Sequence, residues 1–244
     1  MSIADGFKFI YDTEQADLIN IDEALRLIKL FRYEDESVFI QTAPDPKDSD
    51  LYHFEEWTDK NGKKRKTQKF RMSSVNGQGV GKTFTAPTST QKNLSLSSFT
   101  DQKVLTDLKR ANMARCGVSF AVNVYDPSAK SRKETPLRIA AVFADFDDAP
   151  LPEVWPLAVT ALTEYSPDKY HAYWSVEDLP LEEFKTVQKF LASYFGSDPA
   201  VCDVARVMRL AGFWHGKKED GYLSNIVEIN EDARYTRADL LTAF

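Results

Sequence analysis

The segment AAVFADFDDAP, residues 140–150, places two carboxylates where they could hold a cation. On a strand, residues two apart point the same way. Ala140, Val142, Ala144 and Phe146 then make one apolar face, while Phe143, Asp145 and Asp147 share the other. Carboxylates side by side at the end of a buried strand repel each other unless a cation lies between them or one keeps its proton. Hard divalent ions such as Mg²⁺ and Mn²⁺ take such oxygens, helped by substrate phosphates. The alternative is a solvated pair at a strand end beside the turn at Asp148-Ala149-Pro150.

Two further segments carry polar residues in apolar settings. In TEYSPDKYHAYWSV, Ser166-Pro167-Asp168-Lys169 is turn chemistry between two strand-like runs, which predicts a hairpin. On its outgoing strand Lys169, His171 and Tyr173 share one side, and the Lys and His together suit a polyphosphate. The other possibility for His171 is a packed core residue. In DPAVCDVARVMRLAGFWHGKK, Arg206 and Arg209 sit among apolar residues and demand anionic partners. They either pair with Asp198 and Asp203 or line an anion site.

GQGVGKT, Gly77 to Thr83, has the look of a phosphate-binding loop but not its spacing. Asn76 stands where the first glycine belongs, basic KKRKTQKFR precedes it instead of an apolar strand, and a proline follows where a helix should run. A glycine-rich surface loop fits better, and nucleotide chemistry belongs elsewhere. Upstream, Lys63, Lys64, Arg65 and Lys66 form a basic run within a polar insertion at about 58–98. That run is either a solvated loop or a contact for a nucleic-acid backbone.

The elements that must position these residues are mixed helices and strands, as in an α+β fold. Asn20 with Glu23 starts a helix carrying Ile21, Ala24, Leu25, Ile28 and Phe31 at helical spacing. VFIQTA and LYHFEEW read as strands, and Thr100 as the cap of a helix with Val104, Leu105, Leu108 and Ala111. CGVSFAVNVY and LRIAAVFADFDD are long strand candidates. A helix from Leu181 presents Phe184, Val187, Leu191 and Tyr194 on one face and ends at Gly196. YLSNIVEIN and a short helix from Thr236 complete the chain.

With 244 residues, 43% of them hydrophobic, one large domain is expected. The net charge of −6 argues against a protein that coats nucleic acid non-specifically. Three histidines and no Cys-x-x-Cys pair argue against structural zinc. Cys116 and Cys202, far apart in apolar settings, suit reduced thiols in a cytoplasm, and neither a membrane span nor a secretory signal is predicted.

DFDD, then S-P-x-K-Y-H-x-Y-W, then D-x-x-R-V-M-R-L-x-G-F and a lysine, over roughly residues 100–244, resemble the RepB-type DNA primases of plasmids and phages. These are a branch of the archaeo-eukaryotic primase superfamily. The resemblance implies an RRM-like antiparallel sheet with helices packed on one side, plus an N-terminal α/β unit. It implies a single primase-polymerase domain over 1–235 and a C-terminal helix at 236–244 that could lead to further domains. It implies template-directed nucleotidyl transfer with two Mg²⁺ or Mn²⁺ ions on Asp145 and Asp147, and Asp203 as the acid completing the site. His171 would approach the triphosphate of the incoming nucleotide, with Arg206, Arg209 and Lys217 on phosphates. Implied partners are single-stranded DNA, nucleoside triphosphates and a replicative helicase.

Two departures stand out: Asp168 replaces the usual hairpin glycine, and Ala211 replaces a proline, which loosens the approach to His215 and Lys217. A non-catalytic replication-initiator module that keeps the fold and depends on the basic run is the competing expectation. A relaxase is disfavoured, because such enzymes need a His-x-His pair and this segment offers His171 alone.

Overall fold

The computed structural model describes residues 13–45, 52–72, 82–85, 89–113, 115–216 and 221–244. A short helix, Thr13–Asp17, precedes the helix Ile21–Lys29. Asn20 caps the latter as its sequence predicts, its side-chain oxygen accepting the Glu23 amide at 3.1 Å. Glu23 does not reach back to close a capping box; its carboxylate accepts the Ile226 amide at 2.6 Å and ties the helix to a strand 203 residues away. Strands β1 (Ser37–Pro44), β2 (Tyr52–Thr58), β3 (Lys64–Met72), β4 (Lys82–Thr85) and β5 (Thr90–Ser95) follow.

A 3₁₀ turn, Leu96–Thr100, leads into the helix Gln102–Met113. Thr100 is not its cap, because the Thr100 hydroxyl donates back to the Ser97 carbonyl at 2.8 Å. Asp101 does that work, accepting the Lys103 amide at 2.8 Å. Next come β6 (Cys116–Ala121), β7 (Ala141–Phe146), β8 (Ala161–Ser166) and β9 (Lys169–Val176), then the helix Leu181–Phe195. Strands β10 (Val207–Arg209), β11 (Trp214–His215), β12 (Tyr222–Leu223), β13 (Asn225–Ile229) and β14 (Arg234–Tyr235) precede the helix Arg237–Ala243, which Thr236 and Asp239 start with a capping box.

Two sheets organise these strands, an α+β architecture with antiparallel pairing except between β9 and β14. One has the order β10-β6-β1-β5; the other runs β13-β8-β9-β14, with β7 also paired to β9. The polar insertion therefore divides. Its first part forms a separate β2-β3-β4 sheet, while Thr90–Ser95 returns as the edge strand beside β1.

The long candidate strand from Leu137 to Asp148 is shorter for a similar reason. Arg138 bridges to Val124, and only from Ala141 does the chain join the sheet of β9. YLSNIVEIN is likewise cut in two, because the Ser224 hydroxyl turns in to the Leu210 and Phe213 carbonyls at 3.0 and 2.7 Å.

An aromatic seam joins the sheets. Tyr173 of β9 packs on Phe120 of β6 at 6.2 Å between ring centroids, on Phe31 at 5.3 Å and on Phe143 of β7 at 6.5 Å. Burying each such ring stabilises by about 1.5–3 kcal/mol. On the other side of β9, Trp174 stacks on Phe195 at 5.4 Å and meets Phe244, which binds the last helix to the core.

The helix ending at Gly196 is turned from its predicted face: Phe184, Gln188, Leu191 and Ala192 are buried and Tyr194 is half exposed. Gln188 explains the turn. Its amide accepts from the Phe143 N–H at 2.9 Å and donates to the Phe143 and Val201 carbonyls at 3.0 and 2.9 Å, standing in for a neighbouring strand.

Candidate active site

The three chemistry-bearing segments meet through strand register. Asp145 on β7 lies directly opposite His171 on β9, and Phe146 opposite Tyr170. This brings Lys169 beside Asp147, and the Lys169 ammonium pairs with the Asp147 carboxylate while also donating to the Asp147 carbonyl at 2.9 Å. The turn feeding β9 needs a left-handed residue, and Asp168 supplies it with φ 61°. Asp tolerates that region better than most side chains, so the missing glycine does not disturb the hairpin.

A cavity of about 440 Å³ lies between the sheets. Asp145, Asp147, Tyr165, His171 and Asp198 line one side; Asp45, Ser119, Arg206 and Arg209 line another, with His215 also on its wall. Tyr165 bridges the carboxylate pair, its hydroxyl 3.0 Å from Asp145 Oδ1 and 3.1 Å from Asp147 Oδ1. A register irregularity between Glu164 and Ser166 frees Tyr165 from the ladder and aims it there. Because it has one proton, Tyr165 can satisfy only one of the two acids at a time.

Burial, then the nearby Asp147 and Asp198 charges, push the Asp145 carboxyl up to about 6 against the opposing Tyr165 hydrogen bond. An acid raised in the folded state adds stability below its unfolded value near 4 and loses it as pH rises through about 6. Asp145→Asn should therefore melt at a higher temperature than the wild type above pH ~6, with the difference vanishing near pH ~4. Melting curves across that range check this, and equal pH dependence in both proteins would count against it.

His171 is 4% exposed. Its ring stacks on Tyr165 at 4.1 Å, with the Tyr173 hydroxyl 3.4 Å from Nδ1 and Asp145 Oδ1 3.7 Å from Nε2. Burial first, then the Arg209 and Arg206 charges, hold it well below the usual histidine value, so it is neutral at pH ~7. It is both a packed ring and part of the cavity wall.

Arg209 pairs with Asp45, a carboxylate only 3% exposed on its side chain, and not with Asp198 or Asp203. A Cβ on Gly117 would fall 1.4 Å from Arg209 Nη1, so only glycine lets that guanidinium lie across β6. Arg206 lines the same cavity and forms no ion pair among the described residues. His215 reaches the wall despite Ala211: Gly212, with φ 83°, accepts the Asn20 amide at 2.9 Å and donates to the Ser224 carbonyl at 2.7 Å, which fixes the loop.

Asp203 lies apart from these residues. It does not line this cavity but another, with Arg132 and Glu182, and its Oδ1 accepts the Ala205 amide at 3.0 Å. Asp198 lines the first cavity, its amide donating to the Asp145 carbonyl at 3.0 Å. The sequence offers Asp198 only as an arginine partner, and neither Tyr165 nor Asp45 stands in a pattern that marks it.

Lys217 and residues 77–81 lie outside the described residues; Lys63, Lys64 and Arg65 are exposed around the β2–β3 turn, and only the backbone of Lys66 is described. Of the described side chains, Lys63, Lys64 and Arg65 do not line the cavity.

The donor set fits a hard divalent ion: carboxylate oxygens from Asp145, Asp147 and Asp198 around one cavity, with burial and mutual repulsion that a cation would relieve. Among the described residues no three acidic, His or Cys side chains already converge as ligands. The reason is visible in Asp147, which Lys169 and Tyr165 hold. Both cysteines are free, and among the described residues no helix is long and apolar enough to cross a membrane.

Antiparallel sheets packed with helices in this way are also found in solved primase structures, which share the fold at low sequence identity. The primase domain of the cyanophage S-2L primase-polymerase superposes with a TM-score of 0.58 at 15% identity, covering 92% of this chain and 97% of that one. The primase RepB′ gives 0.52 at 18% identity, covering 91% of this chain and 61% of that one. The catalytic domain of RepB′ in complex with initiator DNA gives 0.51 at 18% identity, covering 91% and 94%. No curated protein sequence matches. Residues 150–241 match the model of the RepB DNA-primase N-terminal domain.

Proposed function

We propose that this chain makes primers on single-stranded DNA by template-directed nucleotidyl transfer, in the replication of a plasmid or phage in a cytoplasm. The observation that carries the reading is the gathering of Asp145, Asp147, Asp198, His171, Arg206 and Arg209 around one cavity. Asp145, Asp147 and Asp198 would hold two Mg²⁺ or Mn²⁺ ions. Such ions, when bound, activate the attacking 3′ hydroxyl and neutralise the pyrophosphate that leaves. Arg206 supplies a guanidinium for phosphate oxygens, and Asp45 fixes Arg209 in place for the same task. His171, neutral and rigidly stacked, contributes a ring nitrogen to the triphosphate rather than a charge. Partners in this reading are the template strand, nucleoside triphosphates and a replicative helicase.

The test is primer synthesis on single-stranded DNA with labelled nucleotides and Mg²⁺ or Mn²⁺. Template-dependent products support the reading; DNA binding with no products under either metal would overturn it in favour of a non-catalytic initiator module.

Lys169 sharpens the account. Its ammonium sits on the Asp147 carboxylate that a metal would need, so it must leave when the metal enters and is then free to meet a phosphate. Pairs with this much solvent access are worth about 0.2–1 kcal/mol. Lys169→Met should accordingly tighten Mn²⁺ binding by up to about fivefold in the absence of nucleotide, and raise the KM for nucleotide. Titration followed by electron paramagnetic resonance reads the first effect, and weaker Mn²⁺ binding in the variant would show that Lys169 is not a stand-in cation.

A further inference from the structure

The β2–β3 hairpin carries an aromatic ring and a group of cations for which the cavity has no use. Trp57 is 51% exposed, whereas Trp155, Trp174 and Trp214 are buried or partly buried. It lies directly opposite Arg65 in the ladder, so the indole and the guanidinium share one face.

The tip between them is fixed. Asp59 accepts the amides of Asn61 and Lys63, each at 2.9 Å, and the Arg65 Nε at 3.0 Å. Gly62, with φ 75°, donates to the Asp59 carbonyl at 2.9 Å. These backbone bonds hold the Asp59 carboxyl below its usual range. Lys60, Lys63, Lys64 and Arg65 are exposed around this turn. From Glu56 to Lys66 five basic residues face two acidic ones, in a chain whose net charge is −6.

A pre-set turn that exposes a large flat ring among cations suits a strand with open bases and a phosphate backbone. Bases stack on the ring whatever their sequence, and the cations release counterions from the phosphates. Duplex DNA offers the phosphates but keeps its bases stacked. An acidic protein surface offers charge but no base.

We propose that the tip of the β2–β3 hairpin is a single-stranded DNA platform, with Trp57 stacking on a base and Lys60, Lys63, Lys64 and Arg65 meeting the adjacent phosphates. That the strand is the template rests on the primase reading; the platform itself does not.

The experiment uses the full chain and a labelled oligo(dT) strand followed by fluorescence anisotropy. Trp57→Ala should weaken binding about tenfold, or about 1.4 kcal/mol, within the stacking range of a single base. Its log affinity against log salt slope should not change, because no phosphate contact is lost. Trp57→Phe should keep most of the affinity but lose the quenching of tryptophan emission that oligo(dT) causes in the wild type. Changing Lys63, Lys64 and Arg65 to Gln should instead flatten the salt slope, by roughly 0.7 per contact.

Unchanged oligo(dT) binding by Trp57→Ala would overturn the proposal, as would an equal loss on duplex DNA. A Trp57 dependence confined to oligo(U) would overturn the assignment to DNA. Failure of the two readings can be told apart. A chain that makes no primers yet binds oligo(dT) through Trp57 loses only the proposed activity, while one that makes primers with no Trp57 dependence loses only the platform.

Discussion

Asp145→Asn and Asp147→Asn are each expected to cut nucleotide incorporation by about a hundredfold to a thousandfold or more, while the protein stays folded. Removing one preorganised electrostatic group from a catalytic site costs on that order, and here the group would also be a metal ligand. Asn keeps the shape of Asp and can still accept from the Tyr165 hydroxyl, which lies 3.0 Å from one acid and 3.1 Å from the other. Loss of activity would then report lost charge and not lost packing. The same assay separates the two candidates for the third acid: Asp198→Asn should fall with the other two, and Asp203→Asn should stay near the wild-type rate. Single-turnover incorporation on saturating template, read beside melting temperature, is the measurement. Wild-type rates in the Asp145 and Asp147 variants would end the proposed mechanism, and loss in Asp203→Asn with none in Asp198→Asn would reverse the assignment.

The largest expected effect on stability falls on Arg32, far from any chemistry. Its guanidinium is 5% exposed and donates to five backbone carbonyls. Those of Phe31 and Ser37 lie at 3.0 Å, those of Ala121, Val122 and Asn123 at 2.7, 2.7 and 3.1 Å. One side chain thus closes the end of a helix, the start of β1 and the end of β6. Burial lowers its pKa to about 9, partly offset by Glu36, so it is charged at neutral pH.

Arg32→Met removes every donor at once and leaves buried carbonyls without partners, at about 1–3 kcal/mol for each that water cannot reach. A net loss of about 4 kcal/mol, shared among relaxing groups, would lower the melting temperature by about 8–16 °C for a domain of this size. Arg32→Lys should recover only part of this, having three donors and no planar fork. Incorporation per folded molecule in the cold should be unaffected, since Arg32 does not line the cavity. A drop of under ~2 °C would mean that the carbonyls find other partners.

Arg32 also shows where sequence reading stops. The Asn20 cap, the Gly196 helix end, the Ser166–Lys169 turn and the helix start at Thr236 were legible because each is a bargain among residues a few positions apart. So was the shared face of Asp145 and Asp147, which needs only the period of a strand.

Nothing local says that Asp145 will lie opposite His171, that Arg209 will meet Asp45 across 164 residues, or that a buried arginine will collect carbonyls from two segments. Which of Asp198 and Asp203 lines the cavity is hidden from the sequence for a related reason. Five residues separate them, both suit an irregular loop, and only the packing of the helix end at Gly196 decides which one turns inward. Tyr165 was hidden by a register irregularity, since a regular strand would not have been expected to spend a tyrosine there.

The Asp45–Arg209 pair has a consequence for how the molecule comes into being. The β7, β8 and β9 contacts join segments at most a few dozen residues apart, so the acidic wall of the cavity can form from nearby pieces of chain. The basic wall cannot, because β10 is the edge strand beside β6 and Arg209 must find a carboxylate made 164 residues earlier. Such long loop closures come late and slowly. During synthesis, Asp145 and Asp147 would be in place well before the guanidinium that faces them, and a nascent chain still short of β10 would have half a cavity. Anything that needs both walls of the cavity must wait until β10 has emerged and reached β6.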